Sequence, residues 1–282
     1  MNRMMTGCII FLAAMTALFR PVCAVAGGDF DFAVIQPGQP GSPEEARPVM
    51  DALGCYIQKK LGLDRTPTGK YFNRVDPALG FLHNKRPAWG ILSLAFYAGH
   101  AHELDMTPVA GTRPGGHDKD LWRLVGSSRL PVTDWKRLKG EVLGTMLFER
   151  QAAACLLFGI PADRLPFTLQ GTFHPLRSLR KVIRGAAGAA VLDRLQYASV
   201  QSLSLAREVT TIHMSRELPT SPAVWFGAPG VRTRELTGIL LQMKGDRDAQ
   251  HLLRMLQTDG FVPADPDLGR CRLGHEGADC VP

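Results

Sequence analysis

Apolar residues in this chain follow two rhythms that alternate from residue 29 onward. Short, nearly unbroken apolar runs read as strands buried on both faces: DFDFAVIQ (29–36), PAWGILSL (87–94), MTPVAG (106–111), GEVLGTML (140–147) and AAGAAVLD (186–193). PFTLQG (166–171), EVTTIHMS (208–215) and SPAVWFG (221–227) predict further strands. Between the runs the period lengthens to that of a helix. The first helix is fully punctuated. Ser42 stands at its N-cap, Pro43 at its first position, and Glu45 closes a capping box. Val49, Leu53, Tyr56, Ile57 and Leu61 keep one apolar face, and Gly62 ends it. Helices are expected near 77–84, after Leu94, from a Thr133 cap, over 149–158 up to Gly159, over 175–185, from 194 to 205, and over 234–244 and 246–257.

Repeated strand–helix units predict an α/β protein with parallel-rich sheets flanked by helices. The rhythm breaks near 124–133 and 215–222, both marked by Pro, Ser and Thr. The chain divides at those breaks into two lobes, one from 27–123 and 218–282 and one inserted over 124–217. Ligands of parallel sheets bind beyond the carboxyl ends of the strands, so two such lobes predict a cleft between them.

Residues 1–26 stand apart from that fold. Arg3, the apolar run Cys8 to Phe19 and the small-residue site Ala24-Val25-Ala26 have the pattern of a cleavable secretory signal. Arg20-Pro21-Val22 before Cys23 is a poor lipidation box. The reading is therefore a protein exported to the periplasm, without a membrane span after the leader. Losing Arg3 and Arg20 lowers the formal charge from +7 to +5. The remaining cations, including Arg177, Arg180, Lys181 and Arg184, are not interleaved with aromatics, and no nucleic-acid motif accompanies them. In an oxidising compartment Cys271 and Cys280, which bracket RLGHEGAD, are expected to form a local disulfide. Cys55 and Cys155 lie in helical patterns and read as buried thiols.

RPAWGILSLAFYAGHA, WRLVGSSRLPVTDWKRLKGEVLGTML, GTFHPLRSLRKVIRGAAGAAVLD and REVTTIHMSRELPTSPAVWFG, in this order and spacing, resemble solute-binding proteins of phosphate and phosphonate ABC importers. The resemblance covers most of residues 29 to 262 and implies the two-lobe type II periplasmic-binding-protein fold. It also implies a monomer that takes a small ligand, needs no cofactor, and serves an envelope transporter permease. Residue by residue, it places ligand contacts at His174 in GTFH and Asp193 in GAAVLD, on the first-lobe turn from Trp89 to Ser93, and at Gln36 after the first strand.

One departure changes the expected ligand. Phosphonate binders cradle the anion with a Ser/Thr-rich turn at a helix start, where free N–H groups favour negative charge. The same turn here reads Met146-Leu147-Phe148-Glu149-Arg150. Glu149 would oppose an anion, and Arg150 alone does not rebuild the cradle. Phe148 joins Leu92, Leu94, Phe96, Phe173 and Leu192 in an apolar set, so the expected ligand is small and uncharged, lipid- or sterol-like. Phosphonate-type import with a rebuilt site, and a ligand-free sensory module, are the alternatives.

Each site residue also has a plainer structural role. His174 suits a loop next to Pro175, Asp193 an N-cap, and Arg150 a helix surface. His100, His102 and Glu103 do not share a helix face as metal ligands would, so no metal is expected. The chain has no GxSxG elbow, HExxH pair or Walker sequence, and binding rather than catalysis is the reading.

Overall fold

The structure is a computed structural model and describes residues 30–129, 132–273 and 280. The expected leader and its cleavage site lie outside the described residues.

The strands are β1 (Phe32–Ile35), β2 (Gly69–Phe72), β3 (Trp89–Leu92), β4 (Met106–Thr112), β5 (Lys119–Asp120), β6 (Arg123–Ser127) and β7 (Glu141–Gly144). They continue as β8 (Thr168–Gly171), β9 (Ala189–Leu192), β10 (Val209–Met214), β11 (Leu218–Pro219), β12 (Pro222–Phe226) and β13 (Phe261–Pro263). The helices are α1 (Pro43–Leu61), α2 (Val75–Lys85), α3 (Leu94–His100), α4 (Arg150–Phe158), α5 (Pro175–Ile183), α6 (Arg194–Gln201), α7 (Val231–Gln242) and α8 (Gln250–Met255).

One sheet runs β13-β4-β12-β3-β1-β2, a second runs β10-β6-β9-β7-β8, and β5 pairs with β11 in a separate ribbon. The chain passes between the two larger sheets along that ribbon, whose strands are antiparallel (Leu218 opposite Asp120). Both larger sheets are mixed. β1 is parallel to β2 and β3, and β7 to β8 and β9, where helices connect successive strands. Antiparallel pairing enters through β12 and β13 in one sheet and β6 and β10 in the other.

Alternation along the central strands separates the cores. Phe32 and Val34 of β1 face a core built with α1, α7 and α8. Ala33 and Ile35 face the opposite side, toward α2 and α3. In the second sheet Ala190 and Leu192 of β9 pack with Leu179 and Val182 of α5. Ala189 and Val191 turn the other way and join the same cluster as Ala33 and Ile35. That shared cluster includes Phe96 and Tyr97 of α3 with Ala152, Ala153 and Leu156 of α4, so the two lobes are packed together along an α3–α4 seam. Trp89 is fully buried, stacks on Phe32 at 4.9 Å and donates Nε1–H to the Phe30 carbonyl at 3.1 Å.

Helix ends follow the sequence closely at α1. Ser42 Oγ accepts from Glu45 N, Glu45 returns a bond to Ser42 N, and Gly62 takes the left-handed cap at φ 62°. Three local expectations are corrected. Asp134, not Thr133, caps the short turn at Trp135–Arg137, because its carboxylate reaches Lys136 N. Cys55 is exposed rather than buried. Cys280 pairs with Cys155, 125 residues away, instead of with Cys271, which remains a buried free thiol.

Candidate functional site

The carboxyl ends of β1 and β9, the amino ends of α1 and α6, and the β5–β11 ribbon converge on a cavity of about 440 Å³. Both lobes contribute. Val34, Val49, Met50, Ile91 and Phe261 give the first lobe's apolar wall, and Asp193, Arg194, Leu195 and Gln196 come from the start of α6. Gln36, Lys119, Asp120, Thr220 and Ser221 add polar groups around the ribbon, and Met255 to Thr258 close one side.

Asp193 anchors this region because α6 begins there. Its carboxylate accepts from Gln196 N at 2.7 Å, and Gln196 Oε1 accepts from Asp193 N in return. Burial, then the neighbouring Asp120 carboxylate, push the Asp193 pKa up to about 6. Asp120 is well supplied with donors: Leu121 N at 2.7 Å, Arg194 N at 3.0 Å and Trp122 Nε1 at 3.0 Å. Lys119 faces away from a free role, since Asp265 and Asp267 hold its ammonium at 2.6 and 2.9 Å. Arg194 reaches Glu217 at 3.9 Å, and its buried Nε has no hydrogen-bond partner among the described residues. Tyr71, also on the wall, has its phenol pKa raised by burial. The cavity thus combines an apolar wall with carboxylates and hydroxyls, while its two nearest cations are engaged by acids.

The expected contacts separate into two groups. Gln36 and Asp193 line the cavity. Trp89 does not; it belongs to the first lobe's core. Ser93 caps α3, its hydroxyl accepting from Phe96 N at 3.3 Å. Arg150 is exposed and donates to Gln170 Oε1 at 3.4 Å. His174 is exposed at the start of α5, where its backbone N–H meets Thr172 Oγ1.

Phe148 and Glu149 sit at the seam between the lobes. Phe148 packs on Phe173 at 4.8 Å and lies over Gly171. The loop after β1 presses into the same place: Gly38 has φ 87°, and a Cβ there would run into the Thr145 carbonyl and meet the Phe148 ring. Glu149 accepts from His100 Nε2 at 2.9 Å, joining α3 to the start of α4. The turn that would cradle an anion is therefore filled by the other lobe, a phenyl ring and a carboxylate. Thr145, at its start, has a hydroxyl, but that oxygen accepts from Gln196 Nε2 at 2.9 Å.

Sequence patterns gave no signal for Asp120, Thr220, Ser221 or Met255–Thr258 as cavity residues. They reach it through the crossover ribbon and the return of the chain.

Residues 158–268 match a family model described as ABC transporter, phosphonate, periplasmic substrate-binding protein. No curated protein matches the chain in sequence. Among solved structures, a Xanthomonas citri protein bound to chloride is similar with a TM-score of 0.68 and 16% identity, over 86% of this chain and 94% of that one. A binding protein component of an ABC phosphonate transporter from Pseudomonas aeruginosa gives 0.59 and 12%, over 85% and 82%. PhnD1 from Prochlorococcus marinus, in complex with methylphosphonate, gives 0.56 and 14%, over 85% and 94%. The chain has the two-lobe fold of the type II periplasmic binding proteins, with the phosphonate-transporter match carried by residues 158–268.

Proposed function

We propose that this protein is a periplasmic solute-binding protein that takes a small, largely apolar ligand into the interlobe cavity and delivers it to an envelope transporter. The cavity carries the reading. It is built from both lobes at the carboxyl ends of their strands, and its volume of about 440 Å³ falls in the range of small-molecule sites. Ligand contacts from both lobes favour the arrangement in which they are held together, so binding acts on the relation between lobes without covalent chemistry. An apolar body fits against Val34, Met50, Ile91 and Phe261, with the ligand's polar end toward Gln36 and Asp193.

The family match over residues 158–268 favours a second reading, uptake of a phosphonate-type anion. In that case Arg150 must reorient into the cleft and backbone N–H groups must supply the rest of the site.

Native mass spectrometry of the protein purified from its own envelope, followed by organic extraction, separates the two. A co-purifying neutral molecule, with binding insensitive to salt, supports the apolar ligand. An empty protein that gains mass only with phosphate or a phosphonate, and loses it in Arg150→Ala, overturns that ligand in favour of the anion.

A further inference from the structure

We infer that the exposed face of α5 is a docking surface for an anionic lipid bilayer, a function separate from the interlobe cavity. Arg177, Arg180, Lys181 and Arg184 stand at i, i+3, i+4 and i+7, so they project from one side of the helix as a single stripe. All four are exposed, and none has a side-chain hydrogen bond, ion pair or ring contact among the described residues. Ser178, Leu179 and Val182, on the other side, are buried toward β6, β7 and β9. The stripe contains four like-charge neighbours at helical spacing and no acid, an arrangement that weakens a helix standing alone. Arg177 also places positive charge in the first turn, against the helix dipole. Arg180 and Lys181 lie in the last turn, where the dipole favours them, so helix stability accounts for their place but not for Arg177 or for the crowding of like charges, which an anionic partner would relieve.

The surroundings favour a bilayer over a folded protein. An arginine can centre a protein hot spot only inside a ring of contacts that excludes water, and beside its arginines the exposed face of α5 offers one leucine and no aromatic residue to build that ring. The loop beyond the stripe, Gly185-Ala186-Ala187-Gly188, has no long side chain to stand above it. Gly188 lies against the Lys139 carbonyl, which brings a further exposed cation beside the stripe; Glu141 is the acid on the adjoining strand. Leu176, 45% exposed, sits at the amino end of the stripe, where it can enter the acyl boundary. A low, cationic surface with one exposed leucine matches a plane of phosphate headgroups. Each cation near such a plane strengthens binding by roughly fivefold, and salt screens the effect.

The test is co-sedimentation of the exported protein, purified from the envelope, with vesicles of phosphatidylcholine alone or mixed with phosphatidylglycerol. The protein should pellet with the mixed vesicles at low salt, remain free with phosphatidylcholine alone, and release as salt rises. Arg180→Glu with Arg184→Glu should lower the partition coefficient at least roughly 25-fold. Lys70→Glu with Lys85→Glu makes the same change in net charge at exposed first-lobe positions and should leave most of the binding. Equal losses in the two pairs would overturn the inference, since net charge alone would then explain the binding. So would equal binding to neutral vesicles, or binding to soluble polyglutamate without binding to the mixed vesicles.

Discussion

Two titratable side chains, Asp193 at the cavity and His100 at the seam between the lobes, give the same direction of pH dependence. Burial and Asp120 raise the Asp193 pKa to about 6, so the folded protein holds that proton more tightly than the unfolded chain does. The associated stability is complete below the unfolded value near 3.9 and is lost as pH rises through about 6. Asn is as good an N-cap as Asp and has no charge to desolvate. Asp193→Asn should therefore remove the decline between about pH 4 and 7, worth up to about 3 kcal/mol, in urea midpoints measured across that range. An unchanged slope would mean that Asp193 is not the group responsible. His100 is set by competing effects. Burial lowers its pKa, but the bonds and charges of Glu149 and then Glu103 outweigh this and leave it raised. Its contribution is present below about pH 6.5 and disappears as pH climbs through the raised value. His100→Gln should cost about 1–3 kcal/mol at pH 6 and much less at pH 9. A cost independent of pH would assign His100 a packing role only.

The elements were legible wherever local chemistry decides them. Ser42, Pro43, Glu45 and Gly62 set both ends of α1, and the all-apolar runs at β1, β3 and β9 announce strands covered on both faces. β2 was not legible, since Gly69–Phe72 lies at a sheet edge and lacks a fully buried residue. β13 was missed because it has three residues, one of them proline, and pairs at the opposite edge. The loop between β1 and α1 shows how an element end meets the other lobe. Gly38 and Gly41 both have positive φ, 87° and 101°. A Cβ at Gly38 would strike the Thr145 backbone of the second lobe, whereas at Gly41 it would meet only the flexible Glu45 carboxylate at 3.5 Å. Both alanine substitutions incur the left-handed backbone cost of roughly 1 kcal/mol. Gly38→Ala should exceed Gly41→Ala by at least about 1 kcal/mol in denaturant melts. Equal costs would show that the loop does not press on the second lobe in solution.

At the scale of the whole molecule, the least legible feature is the link between the lobes. Cys271 and Cys280 are close in sequence, yet Cys271 is buried among Leu268, Tyr97 and their neighbours, and Cys280 bonds to Cys155 on α4. Before that bond the tail is fixed to the first lobe: Leu273 N donates to the Ala98 carbonyl at 2.9 Å, and Arg272 donates to Tyr97 Oη at 2.9 Å and to the Met106 carbonyl at 2.8 Å. The disulfide thus ties the tail covalently to α4, while hydrogen bonds from Arg272 and Leu273 hold the same tail to α3, in addition to the apolar seam and the His100–Glu149 pair. The crossover ribbon and this tie together leave the lobes less freedom than the ribbon alone would. Closing a loop of 125 residues also restricts the unfolded chain, by about 5 kcal/mol if entropy alone acts. Cys155→Ser with Cys280→Ser should lower the unfolding free energy by about 2–5 kcal/mol. The same variant should show a larger radius of gyration by small-angle scattering when emptied of ligand, while the oxidised wild type changes less between its empty and loaded forms. If the two proteins expand equally on emptying, the packed seam governs opening by itself and the tail contributes only stability. If neither changes shape, the lobes act as one body and ligand must enter beside the ribbon, where the cavity meets Lys119 and Thr220.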